Sequence, residues 1–101
     1  MTTDANIRQA LRQVIDPELG VNIVDLGLVY GVEVEGARAR VVMTTSSPAC
    51  PLGEYLRTRA DDAIRAVAPE LSEVIIEMVY QPSWRPDMMS DEARRQLTGR
   101  A

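Results

Sequence analysis

The stretch LGLVYGVEVEGARARVVMTT, residues 26–45, decides the fold because apolar residues occupy every second position on both sides of Gly36. They are Leu28, Tyr30, Val32 and Val34 before it, and Ala39, Val41 and Met43 after it. A period of two is typical of strands with one buried face, and glycine suits a tight turn. The stretch therefore predicts a β-hairpin that turns near Gly36. Its acidic residues 33 and 35 then face arginines 38 and 40 across the strands.

Helical periodicity flanks this hairpin on both sides. Residues 4–15 and residues 51–67 each carry an apolar stripe at a spacing of three to four, which predicts two amphipathic helices. Thr3 or Asp4 can cap the first helix, and Pro69 ends the second. The stripes consist of Ile7, Ala10, Leu11 and Val14 in the first helix, and of Leu52, Leu56, Ala60, Ala63, Ile64 and Val67 in the second.

A third strand and a short tail complete the chain. Residues 72–80 alternate again, residues 81–89 are interrupted by two prolines, and Ser90 can cap a last helix over residues 91–97. The order predicts an α/β (α+β) fold. It is a two-layer α-β-β-α-β domain with a three-stranded mixed sheet, both helices on one face and a short C-terminal helix. We expect one domain over residues 1–101, of which 81–101 form a loop and helical tail.

Two further details of the packing follow from the pattern. The strand–helix–strand unit from 38 to 80 predicts a right-handed crossover with parallel outer strands. The second face of the sheet keeps an apolar character, which predicts that the tail or a second subunit covers it. Its apolar residues are Val29, Val42, Ile75 and Val79.

Composition excludes several classes of function. The 101 residues carry a net charge of −4, and the 11 positive residues are scattered arginines, which argues against a nucleic-acid partner. No G-x-G-x-x-G motif supports nucleotide binding, and no apolar run approaches the length of a membrane span. A cytoplasmic location is the default expectation. With one cysteine and no histidine, a Cys–His catalytic pair and histidine metal ligands are impossible within one chain.

The single cysteine lies in TTSSPACPLGEYL, residues 44–56. If Pro51 is the first helical residue, Cys50 is the N-cap, and the helix dipole then favours its thiolate. Hydroxyl groups at residues 44–47 can donate further hydrogen bonds to a sulfur or an anion. The alternative is a buried, unreactive cysteine beneath the turn, and position alone gives the two interpretations equal weight.

Two other groups of residues could carry chemistry. Asp16, Glu18 and Asp25 lie in DPELGVNIVDLGLVY, residues 16–30, where they could bind a metal or accept hydrogen bonds from backbone amides; spacing favours the second interpretation. Trp84 lies in PSWRPDMM, residues 82–89, and more commonly such a tryptophan covers the core. An exposed Trp84 beside Met88 and Met89 would instead mark a partner site.

Together these motifs resemble the metal–sulfur cluster assembly factor family, which includes SufT-like bacterial proteins, PaaD and the eukaryotic cytosolic iron–sulfur targeting factor. The resemblance runs from about residue 5 to 98 and rests on four stretches in the right order. They are DPELGVNIVDLGLVY, VVMTTSSPACPLGEYL, the helix and strand that follow, and YQPSWRPDMMSDEARRQL. PaaD-like members carry extra C-terminal cysteines that this chain lacks, so SufT-like proteins are the closer comparison.

The resemblance implies a non-enzymatic accessory factor that helps iron–sulfur clusters reach client apoproteins. The family's reactive cysteine falls on Cys50, its acidic loop on Asp16, Glu18 and Asp25, and its threonine-rich turn on Thr44, Ser46 and Ser47. Cys50 would ligate iron or a transient cluster. One chain supplies one of the four usual thiolates, so a partner, a small thiol or a homodimer must complete the site. The rival functions are an adaptor that recruits clients through the Trp84 tail and a small thiol-dependent enzyme.

Overall fold

The computed structural model describes residues 2–46 and 51–98 and confirms the predicted fold class. Three helices and a three-stranded mixed sheet form an α+β domain within these residues. No helix among them is long and apolar enough to cross a membrane. The elements are α1 (Asp4–Leu11), β1 (Val29–Glu35), β2 (Arg38–Met43), α2 (Gly53–Val67), β3 (Glu73–Met78), a 3₁₀ turn (Pro86–Met88) and α3 (Asp91–Thr98).

The predicted hairpin forms β1 and β2, which pair antiparallel around Gly36. Gly36 adopts a φ of 60°, a left-handed conformation that glycine tolerates better than other residues. The register places Glu33 opposite Arg40 and Glu35 opposite Arg38, as the charge pattern predicts. Arg40 contacts Glu33 at 3.3 Å and also binds Glu77 on β3 at 2.8 Å. These ion pairs tie the three strands together on the solvent-facing side.

The crossover through α2 brings β3 parallel to β2, so the strand order is β1-β2-β3. Both helices pack on the inner face of the sheet, where the alternate residues of β2 are fully buried. The chain has no phenylalanine, so this core is aliphatic. Its largest buried side chains include Ile7, Leu11, Ile23, Leu26, Leu28, Val41, Met43, Leu56 and Ile64.

The predicted end of the first helix and the predicted start of the second helix need correction. The first helix ends at Leu11 instead of residue 15, because the chain tightens into three-residue turns and Ile15 then pairs as a β-bridge with Asn22. The second helix begins at Gly53 with Leu52 as its N-cap, and the first helical bond runs from the Leu56 amide to the Leu52 carbonyl at 2.9 Å. The prediction that Pro51 is the first helical residue is therefore wrong.

The second face of the sheet also differs from its prediction. A register shift between Val29 and Gly31 reverses the alternation of side chains, so Val29 lies opposite the buried Met43 and packs against the core. The prediction that Val29 lies on the second face is therefore wrong. In the described part of the chain, the tail bonds to the loop of residues 22–28 and to Tyr30 of β1. It leaves Ile75 on the second face 43 % exposed.

Candidate functional site

Three segments meet where β2 and β3 end, a region called here the C-terminal edge of the sheet. The Thr44 amide donates to the Leu28 carbonyl at 2.9 Å, and the Val79 amide donates to the Met43 carbonyl at 2.9 Å. Loop 22–28 therefore arrives at the same edge from which the connection to α2 and the tail depart. The carboxyl ends of parallel strands are a common location for ligand sites in α/β sheets.

Asp16 organises the turn after α1. Its side chain is almost completely buried, with 1 % exposed, and Oδ1 accepts hydrogen bonds from the amides of Glu18 and Leu19 at 2.8 and 3.2 Å. The Asp16 carbonyl also accepts from the Gly20 amide. A buried carboxylate needs such partners, because an unpaired one would be strongly disfavoured. Asp16 thus has the backbone-capping role that its spacing favours, while the neighbouring Glu18 is an exposed residue.

Asp25 joins three distant parts of the chain. Its carboxylate accepts hydrogen bonds from Asn22 at 2.7 Å, from Ser90 at 3.1 Å and from Arg12 at 3.2 Å. Its backbone carbonyl accepts from the Ser90 amide at 2.7 Å. The Asn22 hydrogen bond, together with Ser90 and the charge of Arg12, lowers the pKa of Asp25 despite its burial. Asp25 is therefore an ionised anchor for the tail.

The partners of Asp25 were not predicted as site residues. Asn22 carried a local signal, because an asparagine three residues before Asp25 can accept a hydrogen bond from the Asp25 amide, and it does so at 2.9 Å. Arg12 and Ser90 carried no such local signal, because they lie 13 and 65 residues from Asp25 in the sequence. Only tertiary structure brings these side chains together.

The hydroxyl-rich turn begins inside the core. Thr44 and Thr45 are buried, with 1 % and 2 % exposed, and Ser46 is half-buried. The predicted site residues Ser47 and Cys50 lie outside the described residues. At Gly53, where α2 begins, an added Cβ atom would lie 3.8 Å from the Thr45 methyl group and 3.8 Å from the Tyr80 hydroxyl. Tyr80, which sequence reasoning did not select, therefore borders this turn.

Trp84 covers loop 22–28. Its indole N–H donates to the Leu26 carbonyl at 2.7 Å, and its ring is half-buried against the core. Tyr30 supports the same contact, because its hydroxyl donates to the Pro82 carbonyl at 2.7 Å. Burial raises the pKa of Tyr30, and the nearby charge of Arg85 opposes this shift. Trp84 therefore covers the core, which is the interpretation that its position in the sequence favoured.

Replacing Trp84 with phenylalanine tests this contact. The variant keeps the aromatic packing but loses the donor to Leu26, so we expect a loss of about 1 kcal/mol in the free energy of unfolding. Urea denaturation measures it. Replacing the exposed Tyr55 with phenylalanine is the matched control, since it removes a polar group from the surface and should leave stability within about 0.5 kcal/mol. Equal losses in the two variants would contradict the role of the Leu26 bond.

The acidic residues do not form a metal-binding group. No cluster of three or more Cys, Asp or Glu side chains that could hold a metal occurs in residues 2–46 and 51–98. Instead, the Asp16 carboxylate accepts hydrogen bonds from backbone amides, and the Asp25 carboxylate accepts them from side chains. The site that emerges consists of loop 22–28, which Asp25 anchors, and the buried pair Thr44 and Thr45, at the C-terminal edge of the sheet.

Comparison with known proteins agrees with this architecture. Residues 4–76 match the family model described as "Iron-sulfur cluster assembly protein". The chain is 42% identical over 92 residues to the Fe-S protein maturation auxiliary factor YitW of Bacillus subtilis, covering 88% of this chain and 87% of that protein. It is 40% identical over 82 residues to the Fe-S protein maturation auxiliary factor SufT of Staphylococcus aureus, covering 80% and 92%. A crystal structure of a DUF59 domain from Bacillus anthracis superposes with a TM-score of 0.91 at 34% identity, covering 94% and 91%.

Proposed function

This chain belongs to the iron–sulfur cluster assembly protein family, and from that membership we propose that it acts as an auxiliary factor in the maturation of iron–sulfur proteins. The observation that carries the proposal is the similarity to maturation factors over nearly the whole of both chains. The family match over residues 4–76 includes Asp16, Glu18, Asp25 and the hydroxyl-rich turn. The partners of such a factor are the cluster assembly machinery and client apoproteins. Its role is non-enzymatic, because the cluster is cargo that passes through the site.

The finer proposal assigns Cys50 as a shared thiolate ligand of iron or a transient cluster. A cluster is usually held by four thiolates, and one chain of this protein supplies one. The remaining ligands must come from a client, an assembly protein or a small thiol. Thr44, Ser46 and Ser47 precede the cysteine in sequence. The buried Thr44 hydroxyl donates to the Thr45 carbonyl at 3.4 Å, so in this proposal Ser46 and Ser47 supply the hydroxyl donors for a sulfur. A site that is incomplete in the isolated protein suits transfer better than storage, because the cargo can leave by ligand exchange.

The carboxylates then have a supporting role in this proposal. Asp16 and Asp25 keep loop 22–28 and the preceding turn in one conformation, and Glu18 lies on the exposed side of that turn. The loop in turn holds Thr44 through the carbonyl of Leu28. Changes at Asp16 or Asp25 would therefore act on cluster transfer through the shape of the loop, and changes at Cys50 would act directly on the cargo.

Anaerobic reconstitution with iron and sulfide tests the ligand role of Cys50. We expect the wild-type protein to retain iron and sulfide after desalting in the presence of a small thiol, and Cys50→Ala to lose most of both. Cys50→Ser controls for the size of the side chain and should behave as Cys50→Ala does, because a neutral hydroxyl is a poor cluster ligand. Circular dichroism should show the same fold in all three proteins.

A second measurement separates this role from that of an adaptor. Capture of a client apoprotein is compared for wild type, Cys50→Ser and Trp84→Ala. Equal iron and sulfide retention by wild type and both cysteine variants would remove Cys50 as a ligand. Loss of client capture in Trp84→Ala alone would then favour an adaptor whose tail recruits clients. Retention that depends on Cys50, with capture unaffected by its substitution, supports the transfer role.

A further inference from the structure

Met88 lies between Trp84 and Ser90, the two residues whose hydrogen bonds attach the tail to loop 22–28. A Cβ atom at Gly27 would lie 2.3 Å from the Met88 carbonyl oxygen, so the backbones of the tail and the loop are in direct contact there. The Met88 side chain reaches β1, where its Sδ atom lies 3.8 Å from the Tyr30 hydroxyl. The sulfur therefore sits inside the contact that holds the tail.

The Tyr30 hydroxyl has two acceptors within reach but only one proton to donate. It donates this proton to the Pro82 carbonyl at 2.7 Å, a normal length for an O–H···O hydrogen bond. The Met88 sulfur is a thioether, which is a weak acceptor, and at 3.8 Å it competes poorly. While Met88 is a thioether, the Tyr30 proton therefore fastens the start of the tail to β1.

The methionines of the described residues have different surroundings. Met43 is fully buried, and Met78 and Met89 are half-buried and pack against the core. Met88 is also half-buried, but its sulfur has the Tyr30 hydroxyl as a neighbour. Oxidation converts a methionine thioether into a polar sulfoxide, which disrupts the contacts of the original side chain. At Met88 it adds an oxygen atom beside a hydroxyl that already holds the tail.

We propose that Met88 is a redox-sensitive site, at which oxidation by a peroxide to the sulfoxide releases the tail from β1 and loop 22–28. The sulfur attacks one peroxide oxygen, so the S–O bond forms as the O–O bond breaks. With hydrogen peroxide, the proton of the attacked oxygen passes to the leaving oxygen, which departs as water. The sulfur loses two electrons and the peroxide gains them.

The sulfoxide acts on the tail in two ways. Its oxygen is a stronger acceptor than the thioether sulfur, so it takes the Tyr30 proton away from the Pro82 carbonyl. The added atom also needs space, and the direct backbone contact between Met88 and Gly27 leaves the 3₁₀ turn no room to shift toward the loop. The turn therefore moves away, which also weakens the bond between Ser90 and Asp25.

This inference goes beyond the proposed function and does not depend on it, because it concerns the attachment of the tail alone. Methionine sulfoxide reductases return the sulfoxide to the thioether, with a dithiol as the source of the two electrons. The release is therefore reversible, and the same chain alternates between an attached and a detached tail.

Limited trypsin digestion with and without hydrogen peroxide tests the proposal, since cleavage after Arg94 or Arg95 follows the population of detached tail. A Cys50→Ser background removes the thiol as a target of the peroxide. We expect peptide mass spectrometry to find one added oxygen on Met88. Cleavage should become about fivefold faster, the change that corresponds to the loss of one hydrogen bond. Methionine sulfoxide reductases with dithiothreitol should restore the original rate.

Three variants in the same background identify the residues responsible. Met88→Leu keeps an apolar side chain of similar size and should abolish the response to peroxide. Met89→Leu changes the next residue, which is also half-buried, and should keep the response within about twofold. Tyr30→Phe lacks the hydroxyl that the sulfoxide would capture, so peroxide should change its cleavage by less than about twofold. Circular dichroism compares the folds before peroxide is added.

Three results would each overturn the proposal. The first is a Met88 that stays unmodified at a peroxide concentration that oxidises free methionine. The second is a response of Met88→Leu as large as that of the Cys50→Ser protein. The third is a full response in Tyr30→Phe, because the release would then not pass through the Tyr30 hydroxyl.

Discussion

Replacing Gly27 with alanine is expected to lower the free energy of unfolding by about 3 kcal/mol. Gly27 has a φ of 80°, and a Cβ atom at this position would lie 2.3 Å from the Met88 carbonyl oxygen. A carbon atom cannot approach a non-bonded oxygen so closely. The obstructing atom belongs to the backbone, so no side-chain rotation can relieve the clash. The 3₁₀ turn that contains Met88 must therefore move away from loop 22–28. Thermal denaturation should show a fall of more than about 10 °C in Tm.

Gly36 provides the matched control for this substitution. It also has a positive φ, 60°, but a Cβ atom there would meet nothing within 4 Å. Gly36→Ala should therefore lower the free energy of unfolding by the conformational strain alone, about 1 kcal/mol. The difference between the two variants measures the contact with Met88. Equal losses at both positions would show that the close approach of the tail to Gly27 contributes nothing to stability.

Replacing Asp25 with alanine is expected to lower the free energy of unfolding by about 2–3 kcal/mol at neutral pH. The variant removes the acceptor for Asn22, Ser90 and Arg12 in one step. The tail loses its side-chain anchor at Ser90, so trypsin should cleave after Arg94 or Arg95 faster than in wild type. Urea denaturation measures the loss. Asp87→Ala is the control, because Asp87 is an exposed acid of the same tail that pairs with Arg85 on the surface.

The effect of Asp25→Ala should depend on pH. The pKa of Asp25 in the folded protein lies below its ordinary value of 3.8, so folding favours the ionised carboxylate. Its contribution is present above the unfolded pKa and is lost as pH falls through the folded pKa. The difference in unfolding free energy between wild type and Asp25→Ala should therefore shrink below about pH 4. A difference that is unchanged at pH 3 would contradict the ionic anchor.

The sheet could be predicted from sequence because its signals are local. The hairpin needs a period of two and a glycine, and both lie within twenty residues of one another. The end of α1 could not be predicted, because the apolar stripe continues through Val14 while the backbone leaves the helix. Val14 is buried although it lies beyond the end of the helix, and Ile15 pairs with Asn22 instead of extending the helix. A non-local strand-like contact thus overrides a helical pattern.

The hydrogen bonding of the candidate site was predicted in part. Asp16 and Asp25 were selected as residues, and the capping role of Asp16 follows from the habits of aspartate in loops. The same role was expected of Asp25, but its carboxylate accepts hydrogen bonds from side chains instead of backbone amides. Their partners were not selected, because Arg12, Asn22 and Ser90 have no common motif. The argument that Cys50 gains thiolate character from a helix N-cap loses its basis, since Leu52 occupies that position. The case for Cys50 now rests on membership of the family.

The contacts between the tail and loop 22–28 also determine when this loop can be completed. Trp84 bonds to Leu26 across 58 residues, and Ser90 bonds to Asp25 across 65. During synthesis the sheet, α1 and α2 can form before the tail leaves the ribosome, since none of them includes a residue beyond Met78. Loop 22–28 reaches its final conformation only after Ser90 has emerged. A chain without the residues from Trp84 onward would therefore keep every strand of the sheet but leave loop 22–28 without its bonds to Trp84 and Ser90.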